Sequence, residues 1–297
     1  MQPSVTLLGS AQDGGVPQAG CSCLGCMDVH MDKSPELYPV SLGIKDASGK
    51  YHLIEASRTL PKQLRLWAES TRHLGESLDV ISPISSVILT HLHLGHIDGI
   101  GQFGKEVIGS RQGSIRLISG QHVIDDLGQK SYLDPFTPEV ITNGSKIVLG
   151  DGVALEFLRV PHREEECSET YGIVVRGKKK SILFLPDHDT YADTLKYHNM
   201  DSLRQWFRTI SVDIVLLDGT FFSVDEVAGR RSDHSGIPHP TISESLKLLG
   251  RKIDADPDLI FIHLNHTNPV INENSKQRKV VEELKWDVGK QGQVWMI

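Results

Sequence analysis

A histidine cluster that directly follows an apolar run constrains this chain more than any other feature. The run 87–89 is β-branched and aliphatic, which is typical of a buried strand that ends at a sheet edge. Neutral imidazole is a common ligand of transition metals. His91 and His93 are two residues apart, so in an extended turn both can face one ion, and His96 then faces a second. The cluster predicts a metal site; the alternative is a polar turn that happens to be rich in histidine.

More metal-competent side chains follow other strand-like runs. They are His162 after the run 153–160, Asp187 after 182–186 and His263 after 259–262. An open sheet collects the side chains that follow its strands into a site along one edge. Any one of these residues alone would more often be structural, as a capping aspartate or a hydrogen-bonded core histidine. Together with the histidine cluster they predict a metal centre.

Taken in order, these residues resemble the signature of the metallo-β-lactamase superfamily, His-x-His-x-Asp-His followed by a histidine, an aspartate and a final histidine at strand ends. The resemblance covers nearly the whole chain. It implies an α/β (α+β) fold, the αββα sandwich of two mixed β-sheets flanked by helices, in a single domain over 1–297. The chain is more closely similar to two branches, the pyrroloquinoline quinone biosynthesis protein B family and the cyclic-phosphate phosphodiesterase of the carbon–phosphorus lyase pathway. The segments that carry this closer similarity are 14–18, 160–163, 185–187 and 263–269, with the cysteines that follow the first of them.

The resemblance also implies the ligands of two active-site ions. The first ion would take His91, His93 and His162, and the second His96, Asp187 and His263. Asp187 could bridge both ions, which makes it a predicted catalytic residue. Two adjacent divalent ions lower the pKa of a shared water toward neutrality and offset charge on an oxyanion. Zinc is the expected metal, with manganese or iron as alternatives.

Gly95 departs from the superfamily pattern, which has a metal-binding aspartate at this position. Because glycine offers no ligand, we expect the second ion to be bound more weakly and Gly95→Asp to raise its occupancy, unless the turn requires a positive φ. Two acidic residues could substitute. Asp98 would more often point away or cap a helix, and Asp13 is as well explained by a plain turn as by a place at the site.

Three clustered cysteines indicate a separate, structural zinc site. They are Cys21, Cys23 and Cys26, in the pattern Cys-x-Cys-x-x-Cys, whereas Cys167 stands alone as an ordinary thiol. The amino terminus has no signal-peptide pattern, so a reducing compartment is expected, where clustered thiols indicate a metal rather than disulfides. A structural zinc takes four ligands, and either His30 or His266 could be the fourth. Similarity to the phosphodiesterase branch favours His266; the alternative to a zinc site is three buried thiols.

Two further histidines are candidates for the active site. His239 precedes the helical run 242–249, and helix amino termini favour anions. Its placement resembles the catalytic or leaving-group histidine of the phosphodiesterase branch; the alternative is a surface-loop residue, as expected for His234. His188 follows a predicted ligand and could support it or contact substrate.

Composition limits the partners. A net charge of −7 argues against nucleic acid, whose binding depends on neutralising phosphates. No apolar run approaches the length of a membrane span. We expect a cytoplasmic protein with a small-molecule substrate, no nucleic-acid or membrane partner, and a homodimer as one allowed assembly.

Hydrophobic periodicity predicts the strands and helices, and composition predicts two mobile stretches. Strands are expected near 4–9, 40–45, 51–56, 86–90, 115–119, 146–149, 153–160, 171–176, 181–186, 212–217, 259–263 and 293–297, and helices near 60–73, 121–128, 200–210, 241–250 and 274–286. The segments 10–38 and 222–239 are predicted to be mobile, because they are rich in glycine, proline, serine and charge.

Three functions are compatible with these features. The first is a metal-dependent hydrolase acting on a small ester, a phosphodiester or lactone-like bond, through a metal-activated water. The second is an iron-dependent oxygenase or hydroxylase like the quinone-biosynthesis branch, because a set of histidines and a carboxylate also suits iron and Gly95 weakens two-ion hydrolysis. The third is a non-catalytic metal-binding protein, which the nearly complete ligand set argues against.

Overall fold

The computed structural model describes residues 1–74, 84–107, 115–163, 169–228 and 239–297. The first seven strands in these ranges are β1 (Ser4–Gly9), β2 (Ser41–Lys45), β3 (Tyr51–Ile54), β4 (Ile84–Ile88), β5 (Ile115–Gly120), β6 (Phe136–Ile141) and β7 (Lys146–Gly150). The others are β8 (Val153–Val160), β9 (Thr170–Arg176), β10 (Ser181–Leu185), β11 (Ile214–Asp218), β12 (Asp258–Ile262), β13 (Asp287–Val288) and β14 (Val294–Met296).

These strands form two mixed sheets of seven strands each within the described residues. One sheet has the order β14-β1-β2-β3-β4-β5-β6 and the other β13-β12-β11-β10-β9-β8-β7. In each sheet one half is antiparallel, and the other half, β3 to β6 or β10 to β13, is parallel. Because parallel neighbours point the same way, the residues that follow them gather at one edge.

Helices cover the outer faces of both sheets. The described helices are α1 (Leu24–His30), α2 (Leu60–Thr71), α3 (Leu94–Ile97), α4 (Gln121–Gln129), α5 (Tyr191–Tyr197), α6 (Leu203–Thr209), α7 (Asp225–Ala228), α8 (Ile242–Leu249) and α9 (Lys276–Glu283). A central core between the sheets includes Leu42, Phe157 and Phe184. Separate cores lie between each sheet and its helices, around Trp67 and around Trp206. The layers are those of the predicted αββα sandwich, which is confirmed.

The predicted strands are all present, with ends shifted by up to two residues. Two strands, β6 and β13, were not predicted from the sequence. The short helices α1, α3, α5 and α7 were not predicted either. β6 contains Pro138 and is largely exposed, as expected for the edge of a sheet. The helices have only four to seven residues, too few to show a helical period. Cys167 and His234 lie outside the described residues.

Part of the amino-terminal segment 10–38, which was predicted to be mobile, packs against the sheet edge, whereas residues 30–35 are exposed. Ala11, Val16, Cys26 and Val29 form a small buried cluster. Ala11 forms bridges with Pro39 and with Leu264, so the segment is tied to the residue that follows His263. Of the other segment predicted to be mobile, 229–238 lies outside the described residues. No helix that the structure describes is long and apolar enough to cross a membrane.

Candidate metal centre

The predicted metal ligands meet where strands of both sheets end. β4 leads to the histidine cluster, β8 to His162, β10 to Asp187 and β12 to His263. The parallel register of β10, β11 and β12 places the residues after these strands side by side. His263 has a φ of 60°, and Glu55, which follows β3, has a φ of 64°. Left-handed backbone at non-glycine residues is uncommon, and Glu55 and His263 are two of the eight such residues in the described ranges.

One group of ligand atoms consists of three imidazole nitrogens. His93 Nδ1 lies 2.9 Å from His91 Nε2 and 3.3 Å from His162 Nε2. Ligands at about 2.0–2.1 Å from zinc are separated by about 2.9 Å in octahedral and about 3.4 Å in tetrahedral geometry. The spacing of the three nitrogens therefore fits a single ion.

A second group surrounds the side chain of Asp187. Its Oδ2 lies 3.2 Å from His96 Nε2 and 3.6 Å from His263 Nε2, while its Oδ1 lies 3.8 Å from His162 Nε2. One carboxylate thus faces both groups, as expected for a bridging ligand. Within the described residues, Asp187 Oδ2 and His96 Nε2 are buried and make no hydrogen bond of acceptable geometry. A cation between them would satisfy both atoms.

Other side chains contact the imidazole rings on the side that faces away from the centre. In four of the rings, Nδ1 faces away from the centre and lies near a side-chain oxygen. The distances are 2.8 Å from His91 Nδ1 to Thr90 Oγ1, 3.4 Å from His96 Nδ1 to Glu55 Oε1, 3.3 Å from His162 Nδ1 to Asp189 Oδ1, and 2.8 Å from His263 Nδ1 to Thr220 Oγ1. Partners of this kind fix the orientation of metal-binding histidines. All four rings are therefore turned so that Nε2 faces the centre.

Electrostatics also favours a cation. Burial holds the pKa of His91 well below its ordinary value and lowers that of His93 to about 4, so both rings are neutral and can bind a metal. Burial alone would lower the pKa of His96, but Glu55 and Asp187 raise it well above its usual range. Positive charge is therefore stabilised at this side of the centre.

Asp13 occupies the space that a side chain at position 95 would need. A Cβ added to Gly95 would lie 2.3 Å from Asp13 Cγ, and Gly95 is not in the positive-φ region. The expectation that Gly95→Asp raises metal occupancy is therefore wrong, because the new side chain would collide with Asp13. Asp98 forms an ion pair with Arg58 at 2.7 Å instead of facing the ligands.

His239 lies at the same centre, with Asp218 behind it. His239 Nδ1 is 2.8 Å from Asp218 Oδ2 and 3.8 Å from Asp187 Oδ1. Burial would lower the pKa of His239, but Asp218 more than offsets this and raises it. The sequence reading missed Asp218, although it ends the apolar run 214–217 as the other strand-end residues end theirs. The arrangement favours the protonated form of His239, beside the predicted metal-binding groups.

His188 has a different environment. Its side chain is fully buried, Nδ1 lies 3.0 Å from Thr194 Oγ1, and the ring packs on Tyr191 in α5. Burial lowers its pKa to about 4. Of the two roles considered for His188, these contacts favour support of the neighbouring Asp187, because the ring joins the loop that carries Asp187 to α5.

The cysteines form a second, separate cluster. The sulfur atoms of Cys21, Cys23 and Cys26 lie 3.5, 3.4 and 3.5 Å from His266 Nδ1. For a tetrahedral zinc with bonds of about 2.3 Å to sulfur and 2.0–2.1 Å to nitrogen, the expected separation is about 3.6 Å. The structure places His266 with the thiols, whereas His30 is exposed at the end of α1. Burial raises the pKa of Cys26 to about 12, so a thiolate there requires a nearby cation.

Known proteins share both sequence and fold with this chain. Coenzyme PQQ synthesis protein B of Methylobacterium sp. (strain 4-46) is 25% identical over 322 residues, covering 96% of this chain and 97% of that protein. The zinc-bound PqqB structure from Methylobacterium extorquens has a TM-score of 0.75 at 21% identity, covering 99% of this chain and 100% of that one. A diphosphatase from the PhnP family has a TM-score of 0.66 at 19% identity, covering 99% and 97%.

The family described as the β-lactamase superfamily domain matches residues 52–264, which include the histidines of both groups of candidate ligands. The first of the two branches that the sequence resembles is found among its relatives, and a PhnP-family diphosphatase shares its fold. The chain belongs to the metallo-β-lactamase superfamily.

Proposed function

We propose that this protein is a metal-dependent hydrolase of a small ester, with a phosphodiester as the favoured substrate class and a lactone-like bond as the other. The observation that carries the proposal is His239, whose Nδ1 lies 2.8 Å from Asp218 Oδ2 and 3.8 Å from Asp187 Oδ1. Hydrolysis of an ester needs a proton for the departing oxygen. A histidine whose pKa is raised beside the metal-binding groups is suited to supply it.

In this proposal the two groups of side chains each hold a divalent ion. The ligands are His91, His93 and His162 for one ion, and His96, His263 and the shared Asp187 for the other. Two such ions would lower the pKa of a water between them and offset charge on the substrate oxyanion. Zinc is the favoured metal because it suits imidazole and carboxylate ligands.

The residues around the ions would carry out the remaining steps of the hydrolysis. Water would add to the phosphorus or carbonyl carbon and release one proton to solvent, and the bond to the leaving oxygen would break. His239 donates its proton to that oxygen, and Asp218 stabilises the imidazolium before the transfer. Because Nδ1 faces Asp218, Nε2 is the nitrogen available to substrate. Asp187, whose carboxylate approaches both groups of histidines, would be a ligand of both ions.

The structure gives less support to the alternative function, an iron-dependent oxygenase or hydroxylase. It depended on iron-compatible ligands and on a second site weakened by Gly95. Asp13 fills the space beside Gly95, so the second group is not short of an acidic neighbour. A general acid that protonates a leaving group, the role proposed for His239, is not needed in an oxygenation reaction. The nearly complete ligand geometry also disfavours a non-catalytic role.

We further propose that Cys21, Cys23, Cys26 and His266 hold one structural zinc. Each of the four offers one atom, and these atoms lie within 4.8 Å of one another. The ion would join the amino-terminal segment to the loop after β12.

A leaving-group series tests the hydrolase proposal. Protein loaded with zinc, manganese or iron would be assayed for oxygen consumption and for hydrolysis of bis(4-nitrophenyl) phosphate and of phosphodiesters with poorer leaving groups. We expect turnover with zinc or manganese. His239→Gln should slow the poor leaving groups much more, by about 10²–10⁴-fold, than the activated ester, which needs little protonation.

Exposed His122 provides the matched control, and His122→Gln should leave the whole series unchanged. Equal slowing of all esters in His239→Gln would remove the acid role. Oxygen consumption with iron, without hydrolysis under any metal, would overturn the hydrolase proposal.

A further inference from the structure

We propose that Asp13 is a ligand of the second active-site ion and replaces the aspartate that the superfamily pattern has at position 95. The ligand has thus moved from the histidine cluster to the amino-terminal segment, about 80 residues away in sequence. The inference depends on the proposed two-ion site but not on the reaction that the site performs.

The position of the carboxylate carries this assignment. Asp13 Oδ1 lies 3.4 Å from His96 Nε2 and 3.4 Å from His263 Nε2. These are the same nitrogens that face Asp187 Oδ2, at 3.2 and 3.6 Å. Distances near 3.4 Å are those between two ligands of one tetrahedral ion. The histidine pair therefore has a carboxylate from Asp13 as well as one from Asp187.

The shared space explains why residue 95 is glycine. An added Cβ at position 95 would lie 2.5 Å from both Asp13 Cα and Asp13 Cβ, in addition to its contact with Cγ. Any side chain there would have to displace the backbone of the Asp13 loop. One location next to His96 can be filled from position 95 or from position 13, but not from both.

The Asp13 loop is fixed to another ligand. Gln12 N donates to Leu264 O at 2.9 Å, and Leu264 N donates to Ser10 O at 2.8 Å. Gly15 N donates to Gln12 O at 2.8 Å and closes the turn around Asp13. Since Leu264 directly follows His263, the backbone holds Asp13 and His263 in a constant relation, as a pair of ligands requires.

A ligand-exchange experiment tests the proposal. The variants are Asp13→Asn, Gly95→Asp, and the double variant Asp13→Gly with Gly95→Asp. Zinc content and zinc affinity would be measured by elemental analysis and by titration of the chelated protein, with cobalt absorption spectra to report coordination. Asp98→Asn is the control for a nearby carboxylate that does not face the ligands.

Asp13→Asn should weaken the second ion at least about 100-fold, beyond the 10- to 100-fold that loss of a supporting partner causes. Gly95→Asp should also lose that ion, because the side chains at positions 13 and 95 collide and neither can take the ligand position while both are present. The double variant should recover it, with the aspartate now supplied from position 95. Asp98→Asn should leave both ions in place.

Unchanged zinc stoichiometry and affinity in Asp13→Asn would overturn the assignment. So would a folded double variant that binds no more zinc than Asp13→Asn, since the exchange would then have failed. Circular dichroism of each chelated variant separates loss of the ion from loss of the fold. Absence of hydrolysis in a wild-type protein with both ions bound would overturn the proposed function and leave the role of Asp13 intact.

Discussion

Glu55 Oε1 lies 3.4 Å from His96 Nδ1, and both side chains are almost completely buried. The same carboxylate accepts a hydrogen bond from Thr90 N at 3.3 Å, so it also reaches the residue before the histidine cluster. Burial raises the pKa of Glu55, and the neighbouring His96 opposes this rise. A carboxylate behind a metal-binding histidine fixes the ring and increases its basicity.

Glu55→Gln should therefore weaken the second ion by about 10- to 100-fold and leave the first nearly unchanged. Glutamine retains the size of the side chain but removes its negative charge. Zinc titration of the chelated protein would resolve the two affinities. Glu69→Gln, at an exposed position on α2, is the control. An equal effect on both ions would show that Glu55 supports the whole fold of the site rather than one ring.

His93→Ala should abolish hydrolysis and lower the metal content by about one ion per chain. His93 Nδ1 is the atom shared by both short contacts of the first group, so no neighbouring nitrogen can replace it. Elemental analysis would measure the loss, and circular dichroism would check the fold. Full metal content in a folded variant would refute the proposed first site.

Cys23→Ser should destabilise the protein by a few kcal/mol and lower the Tm by roughly 5–10 °C, because zinc binding contributes directly to folding free energy. The difference should be seen in zinc-loaded protein by calorimetry. After chelation the variant and the wild type should melt at similar temperatures. A persistent difference would indicate that Cys23 contributes by packing, and a disulfide among these cysteines would refute the site.

We expect the protein to lose conformational stability in mild acid because of His52. This histidine is buried beside Asp46, with Nδ1 2.7 Å from Ser86 Oγ, and burial lowers its pKa to about 4. The unfolded chain binds a proton here below about pH 6.5 and the folded chain only below about pH 4. Stability should therefore fall as the pH decreases through this interval, by on the order of 3 kcal/mol.

Urea unfolding between pH 7 and pH 4 would measure this slope. His52→Asn retains a polar atom toward Ser86 but cannot titrate, so its stability should depend less on pH than that of the wild type. His122→Asn, at an exposed position, should keep the wild-type slope. If His52→Asn and the wild type lose stability in parallel, the acid sensitivity arises elsewhere.

The parts of the fold that the sequence predicts are those with a long, regular pattern. β8 alternates in burial over its first five residues, and β12 is an apolar run after Asp258, so both were recognisable together with the ligands that follow them. α3 has four residues and β13 has two, which is too little for any period. Their positions depend on packing against the rest of the molecule.

The same distinction applies to the site. His91, His93 and His96 are close together in the sequence and were recognisable there. Asp13 has no such signal, because its approach to His96 depends on a loop held by Leu264 at the other end of the chain. Asp218 could have been found by the rule that identified Asp187, since it too ends an apolar strand.

The Asp13–His263 and Cys21–His266 contacts join residues 250 and 245 positions apart. At the usual rate of synthesis of about 5–20 residues per second, the amino-terminal groups wait on the order of 10–50 s for their partners on the ribosome. Neither the cysteine cluster nor the Asp13 arrangement can close before His266 has left the ribosome. A zinc ion held by the cysteine cluster therefore requires the emergence of His266, and until then the three thiols are open to oxidants and to competing metals.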